Sequence, residues 1–304
     1  MKTMSKVGIA CHDAGGAEII SSFVRQNKVD ALFTLQGPAI DIFRRKIVDL
    51  QIVEPDELVK STDWVLCGTS WQSDLELEVS LIAKRKHKKV ISFLDHWVNY
   101  DKRYCRNGES ILPDQIWVGD YNAFSIAKKI FPSIIVSLVD NPYLMDLRQE
   151  WLIKSEYGLS TRCSSLLFVS DNIAEGMTRQ FGDSNYLGYT DQDSFSYLMD
   201  NLERLGPKIK QITVRLHPSE LIGNFNWAVD KYGPLVQISN NKLLMDDLIN
   251  HDIVVGSESM AMVIALECCG KSVFCSIPPI KRKCSLPHAQ IQMLRNMIRD
   301  NDVF

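Results

Sequence analysis

The sequence predicts an α/β protein built as two Rossmann-like domains facing across a cleft, on three observations. Short apolar runs alternate with stretches of helical spacing. Most of those runs end in Gly, Ser, Thr, Asp or His. A polar, helix-prone stretch near mid-chain separates one set of runs from a second. With 304 residues the chain is long enough for two cores. The expected division is residues 1–145 and residues 146–304, each a Rossmann-like domain.

In the first set, Val7-Gly8-Ile9-Ala10-Cys11 reads as a buried strand, followed by a glycine turn and a helix through Ile19, Ile20, Phe23 and Val24. Further strands are expected at 31–35, 64–67, 90–94, 115–118 and 134–138, with helices at 75–86 and 122–130. Asn141-Pro142-Tyr143 and residues 146–157 read as the hinge region. The second set has strands at 164–169, 211–216, 235–239, 252–255 and 272–275, with helices between them. Strand–helix alternation of this kind favours parallel sheets, which bind ligands at the carboxyl ends of their strands.

Composition narrows the function. Hydrophobic residues make up 45% and charged residues 23%, with a formal net charge of -3, so no global basic field calls for nucleic acid. Lys84-Arg85-Lys86-His87-Lys88-Lys89 closes a helix, where cations complement the macrodipole. That run and Lys281-Arg282-Lys283 also leave open a peripheral contact with anionic lipid head groups. No apolar run approaches the ~18 residues of a membrane span. The start of the chain lacks signal-peptide features, so a cytoplasmic location is expected. The eight cysteines show no C-x-x-C spacing and read as reduced thiols, and no metal site or cofactor is expected.

Five strand ends carry candidate chemistry. His12-Asp13-Ala14-Gly15-Gly16 opens a helix, with Asp13 placed to project into a cleft and glycines that allow close ligand approach; the alternative is a helix cap with packing glycines. In Gly68-Thr69-Ser70-Trp71-Gln72-Ser73-Asp74, Ser73 is placed to cap the following helix, while Thr69 and Ser70 are open to a substrate. Asp95-His96-Trp97-Val98-Asn99-Tyr100 sets polar groups among aromatics that suit a sugar ring, or else folds over its own aromatics. Arg215-Leu216-His217-Pro218-Ser219-Glu220 holds an imidazole that proline restricts to extended backbone, suited to a phosphate oxygen or a leaving group. Gly256-Ser257-Glu258-Ser259 begins a helix. Its N–H groups and serines favour an anion, and Glu258 suits ribose hydroxyls; the alternative is an ordinary serine cap. His251 is expected at the far end of its strand.

Two such domains, with His217-Pro218 and the Ser257–Ser259 helix start in the second, resemble the GT-B glycosyltransferases. They are most similar to bacterial sialyltransferases, polysialyltransferases and Kdo transferases that use CMP-activated nonulosonic sugars. The resemblance implies that His217 contacts the donor phosphate and assists its departure, that Ser257 and Ser259 hold phosphate or carboxylate, and that Asp13 is the general base. Gly15, Gly16, Arg215, Pro218 and Glu258 would join the donor site, and Thr69, Ser70, Asp95 and His96 the acceptor site. The chain carries His12-Asp13 where those enzymes have two acidic residues, and Glu258 splits its serine pair. The implied activity is metal-independent transfer from a nucleotide sugar held by a donor domain, residues 146–304, to a glycan or lipid-linked glycan held by an acceptor domain, residues 1–145. The same fold also accommodates a UDP-sugar epimerase or hydrolase, and a non-catalytic nucleotide-sugar-binding protein.

Overall fold

The computed structural model describes residues 5–70, 73–106, 108–157, 165–205 and 209–299. The expectations touching residues 1–4, Trp71, Gln72 and Ser164 lie outside the described residues. The chain divides into two compact units, Met1–Asp146 and Leu147–Phe304.

The first unit runs β1 (Val7–Cys11), α1 (Ala14–Asn27), β2 (Ala31–Leu35), α2 (Ala39–Lys46), α3 (Pro55–Ser61), β3 (Trp64–Cys67), α4 (Leu75–Arg85) and β4 (Lys89–Leu94). A small antiparallel hairpin of β5 (Cys105–Arg106) and β6 (Glu109–Ser110) follows, then β7 (Gln115–Val118), α5 (Tyr121–Ile130) and β8 (Ile135–Leu138). The six longer strands form one parallel sheet in the order β2-β1-β3-β4-β7-β8. Side-chain alternation splits β1 between two layers. Val7, Ile9 and Cys11 join Ile20, Phe33, Phe43 and Phe93 on one face. Ala10 joins Leu58, Val65, Cys67 and Val79 on the other. With both faces covered, every residue of β1 is buried, which is why the strand reads as an unbroken apolar run.

The second unit runs β9 (Ser165–Val169), α7 (Ile173–Phe181), α8 (Asp191–Asp200), β10 (Gln211–Arg215), α9 (Asn226–Tyr232), β11 (Val236–Ile238) and α10 (Leu244–Asn250). It continues with β12 (Ile253–Gly256), α11 (Met260–Cys269), β13 (Ser272–Cys275), β14 (Gln292–Met293) and α12 (Leu294–Arg299). The order β11-β10-β9-β12-β13-β14 is again parallel throughout. Read in chain order it is 3-2-1-4-5-6, the doubly wound arrangement. Its core centres on Phe168, Phe195 and Phe225, whose rings pack edge-on or tilted at 5.0–5.8 Å.

The chain order reverses beside β1 in the first sheet and beside β9 in the second. The carboxyl ends of β1 with β3, and of β9 with β12, are therefore the two topological switch points, where a crevice opens for a ligand. The expected hinge is one helix, α6 (Pro142–Tyr157), which carries the chain from the first unit into the second. Asn141 starts it, its Oδ1 accepting from the N–H groups of Tyr143 at 3.1 Å and Leu144 at 3.2 Å. The basic run after α4 ends that helix, and Lys88 Nζ donates to the carbonyls of Val59, Lys60 and Thr62 at the end of α3. Among the described residues no helix is long and apolar enough to cross a membrane.

Candidate functional site

The switch point of the first unit gathers His12, Asp13 and Ser70. His12 Nδ1 lies 2.7 Å from Asp13 Oδ1, and Ser70 Oγ donates to the same oxygen at 2.7 Å. A carboxylate accepting from Nδ1–H leaves the lone pair on Nε2, so the pair is built as an imidazole base oriented by an acid. The His12 ring lies against Gly37, whose φ of +53° and lack of a Cβ both make room for it. Below it the His12 N–H donates to Glu76 Oε1 at 2.8 Å. Glu76 is 4% exposed and its Oε2 has no hydrogen-bond partner. Burial pushes its carboxyl up to about 7, against the opposing pull of the His12 N–H.

Asp95 enters this cluster as a structural acid. It is paired with Arg103 Nη1 at 3.1 Å, both side chains are at most a tenth exposed, and Thr69 Oγ1 lies between them at 3.2 and 2.9 Å. Its second oxygen fills the space where a Cβ on Gly15 would stand, and Gly16 packs on Gly68. Gly15 and Gly16 are thus used for close packing of α1 on the neighbouring strand ends, and they lie in the first unit, away from the other expected donor residues in the chain. The aromatics beside Asp95 face inward. Tyr100 and Trp97 are buried, and Trp97 Nε1 donates to Asp120 Oδ2 at 2.9 Å, so the loop folds over its own rings rather than presenting them to a sugar. His96 Nδ1 accepts the following N–H of Trp97 at 2.9 Å.

The switch point of the second unit is stitched together by Asp171 and Asn172, which directly follow Ser170 at the end of β9. Asn172, in the left-handed region at φ 55°, donates from Nδ2 to Ser219 O at 3.2 Å and Ser219 Oγ at 3.0 Å. Ser219 in turn fixes His217. Its N–H donates to His217 Nδ1 at 3.2 Å and its hydroxyl lies 2.8 Å from the same nitrogen. Nδ1 is therefore the acceptor and Nε2 carries the proton. Desolvation holds this imidazole below its ordinary value, so it is a neutral Nε2–H donor at pH 7 on an exposed turn. Pro218 shapes that turn, occupying its second position while the Glu220 N–H closes on His217 O at 2.9 Å.

Asp171 Oδ2 accepts the Glu258 N–H at 2.8 Å, joining β9 to the start of α11. Burial raises its carboxyl to about 7, opposed by that N–H and assisted by the nearby Asp191 carboxylate. Asp191 itself accepts from the N–H groups of Asp171 at 2.9 Å and Ile173 at 2.6 Å. The start of α7, where a dinucleotide fold seats its phosphates, is thus filled by the protein's own carboxylate. The start of α11 is likewise met by the protein's own groups, the Asp171 carboxylate on the Glu258 N–H and the Ser259 hydroxyl on the Ala261 N–H. There Ser259 is the N-cap, accepting from Ala261 N–H at 3.3 Å.

Three expected donor residues are engaged elsewhere. Arg215 Nη1 pairs with Asp247 Oδ2 at 2.5 Å and also donates to Asn241 O at 3.0 Å, while Nη2 donates to Lys242 O at 3.1 Å. Asp247 is buried, and that guanidinium is what compensates its charge. Ser257 is 2% exposed and donates to Ser194 Oγ at 2.9 Å, within a buried chain that continues to Ser276. Glu258 accepts from Arg282 Nη2 at 2.5 Å and from the Ser285 N–H at 2.6 Å, so it anchors the loop after β13. His251 sits at the amino end of β12, buried between Asp247 O at 2.7 Å and Thr213 Oγ1 at 2.8 Å.

Sequence reasoning passed over His12 as a participant, and over Asp171, Asn172 and Asp191 entirely. Ser170-Asp171-Asn172 has the same strand-end signature as the five motifs above, so the rule that found those reaches it too. Asp191 carried no signal, because its role depends on where α8 packs. Among the described residues no group of three or more His, Cys, Asp and Glu side chains is gathered for a metal ion.

No family model matches the sequence, and no curated relative matches it significantly. Solved structures do match its fold. A UDP-GlcNAc 2-epimerase from Neisseria meningitidis bound to UDP-GlcNAc superposes with a TM-score of 0.59 at 13% identity, covering 97% of this chain and 90% of that one. A putative UDP-N-acetylglucosamine 2-epimerase from Listeria monocytogenes gives 0.64 at 10%, covering 98% and 87%. The glycosyltransferase of kitacinnamycin gives 0.51 at 10%, covering 93% and 82%. At such identities the likeness concerns fold. This chain shares with them an α/β architecture of two parallel-sheet Rossmann-like domains, which is the GT-B-like plan.

Proposed function

We propose that this chain is an enzyme acting on a UDP-linked sugar, with epimerisation or hydrolysis next to the nucleotide bond as its reaction. The observation that carries this reading is the end-to-end likeness to UDP-GlcNAc 2-epimerases, over 97% and 98% of the chain. The site chemistry is compatible with it. Breaking the bond between the anomeric carbon and the diphosphate puts negative charge on the leaving oxygen. The His217 Nε2–H is a donor suited to such an oxygen. The nucleotide is accordingly assigned to the second unit. A base is required to take a proton from the sugar or from water, and His12 with Asp13 is the oriented pair available in the first unit. Asp171, with a carboxyl poised near 7, is a further proton carrier beside the α11 start.

Glycosyl transfer is the second reading, favoured by the match to the kitacinnamycin glycosyltransferase. In it the same base deprotonates an acceptor hydroxyl, while the expected acceptor contacts Thr69 and Ser70 are buried and engaged with Asp95, Arg103 and Asp13. A CMP-nonulosonate donor is the narrow form of that reading. Its support weakens because the Ser257 hydroxyl is engaged inside the core. Product analysis separates the readings. Incubation with UDP-GlcNAc and related UDP-sugars, followed by NMR, is expected to yield an epimerised sugar or free UDP without any acceptor. Product formed only when a glycan acceptor is added, or only from CMP-sugars, overturns the first reading in favour of the second.

A further inference from the structure

The basic run Lys281-Arg282-Lys283 is not used by the site described above, except through Arg282. Arg282 turns to Glu258, whereas Lys281 and Lys283 line a cavity of about 520 Å³ together with Arg295 and the buried His288. Its apolar wall includes Ile280, Leu286 and Ile291. Among the described residues no Asp or Glu lines it, and no carboxylate lies within 4.0 Å of the Lys281, Lys283 or Arg295 nitrogens. Arg295 is held in place by its Nη1, which donates to Ile280 O at 3.1 Å and Arg282 O at 2.8 Å. Neither Asp171, His217 nor Ser259 lines this cavity.

Among the described residues these three cations share the cavity with no carboxylate, and an anion seated there would be attracted by all three. We propose that this cavity is a second ligand site, separate from the nucleotide site, which takes an organic phosphate: a phosphate monoester with an apolar body. Phosphate answers the two lysines and Arg295. The apolar body answers Ile280, Leu286 and Ile291. A soluble phosphate ester and the head group of an anionic lipid both carry this chemistry.

Calorimetric titration of the full chain with phenyl phosphate and with inorganic phosphate tests it, beside co-sedimentation with phosphatidylcholine vesicles with and without phosphatidic acid. Phenyl phosphate is expected to bind on the order of tenfold tighter than inorganic phosphate, because only it covers the apolar wall. The exposed pair Lys281→Ala/Lys283→Ala should retain the wild-type melting temperature and weaken phenyl phosphate binding by about tenfold or more. His217→Ala should leave that binding unchanged, and UDP should not displace the ligand. Lysine-dependent binding of phosphatidic acid vesicles without binding of phenyl phosphate supports the same phosphate chemistry and assigns it to a lipid head group. Phosphate binding that survives the lysine substitutions, or that UDP or His217→Ala abolishes, overturns the proposal. None of these readouts requires turnover, so they stand apart from the enzymatic assignment.

Discussion

At the residue scale, Ser257 and His217 divide cleanly. Ser257→Ala removes a buried hydrogen bond to Ser194 and is expected to cost about 1 kcal/mol of stability while leaving nucleotide affinity unchanged. His217→Ala removes an exposed donor. It should fold normally and lose roughly tenfold to a hundredfold in nucleotide affinity or turnover, read by UDP titration and steady-state kinetics. Wild-type kinetics in that variant would reduce His217 to a turn residue. Asp13→Asn keeps the Ser70 contact but weakens the orientation of His12, and turnover should fall by ~10²–10⁴-fold. Glu76 yields a prediction about pH. Its carboxyl sits at about 7 in the fold and near the ordinary carboxylate value when unfolded. Between those values the folded state holds a proton that the unfolded state has released, so stability falls as pH rises from about 4.5 through 7. Glu76→Gln should flatten this part of the melting-temperature profile, and an unchanged profile would place the titration elsewhere, Asp171 being the other group raised to about 7.

At the scale of elements, the strand-end loops are held by buried charges that each need a partner. Arg103 reaches from the loop before β5 to Asp95 and Thr69 at the ends of β4 and β3. Arg103→Met strands the Asp95 carboxylate in the interior and should destabilise the fold by about 3–5 kcal/mol in denaturant titration. Asp191 performs the corresponding task in the second unit, joining the first residues of α8 to the N–H groups after β9. The positions of the longer strands were legible because parallel strands buried on both faces are unbroken apolar runs. β2, β3, β7 and β13 start and end where the sequence placed them. The two-residue strands β5, β6 and β14 were not legible, since two residues carry no periodicity.

At the scale of the whole molecule, each unit repeats one solution: a doubly wound sheet with polar groups gathered where the chain reverses direction across it. A ligand that binds only the folded chain stabilises it by mass action, about 2.7 kcal/mol at roughly 100 times its dissociation constant. UDP is therefore expected to raise the melting temperature more than CMP, GDP or NAD at equal concentration. A larger shift with CMP would return the donor to the nonulosonate class.

The sequence by itself determined the fold class, the positions of the longer strands and the strand ends that carry polar chemistry. Those properties follow from local periodicity and from turn residues adjacent in the chain. Which side chains at those ends are available to a ligand was decided only by tertiary structure. Arg215 looked like a phosphate ligand until Asp247, 32 positions later, was found in its grip. Ser257 looked like a phosphate contact until its hydroxyl was found donating to Ser194, 63 positions earlier. Asp95 looked like an acceptor contact until Arg103 and Gly15 enclosed it. A buried polar atom must find a partner, and in a parallel sheet with crossover connections that partner is brought in from a distant part of the chain.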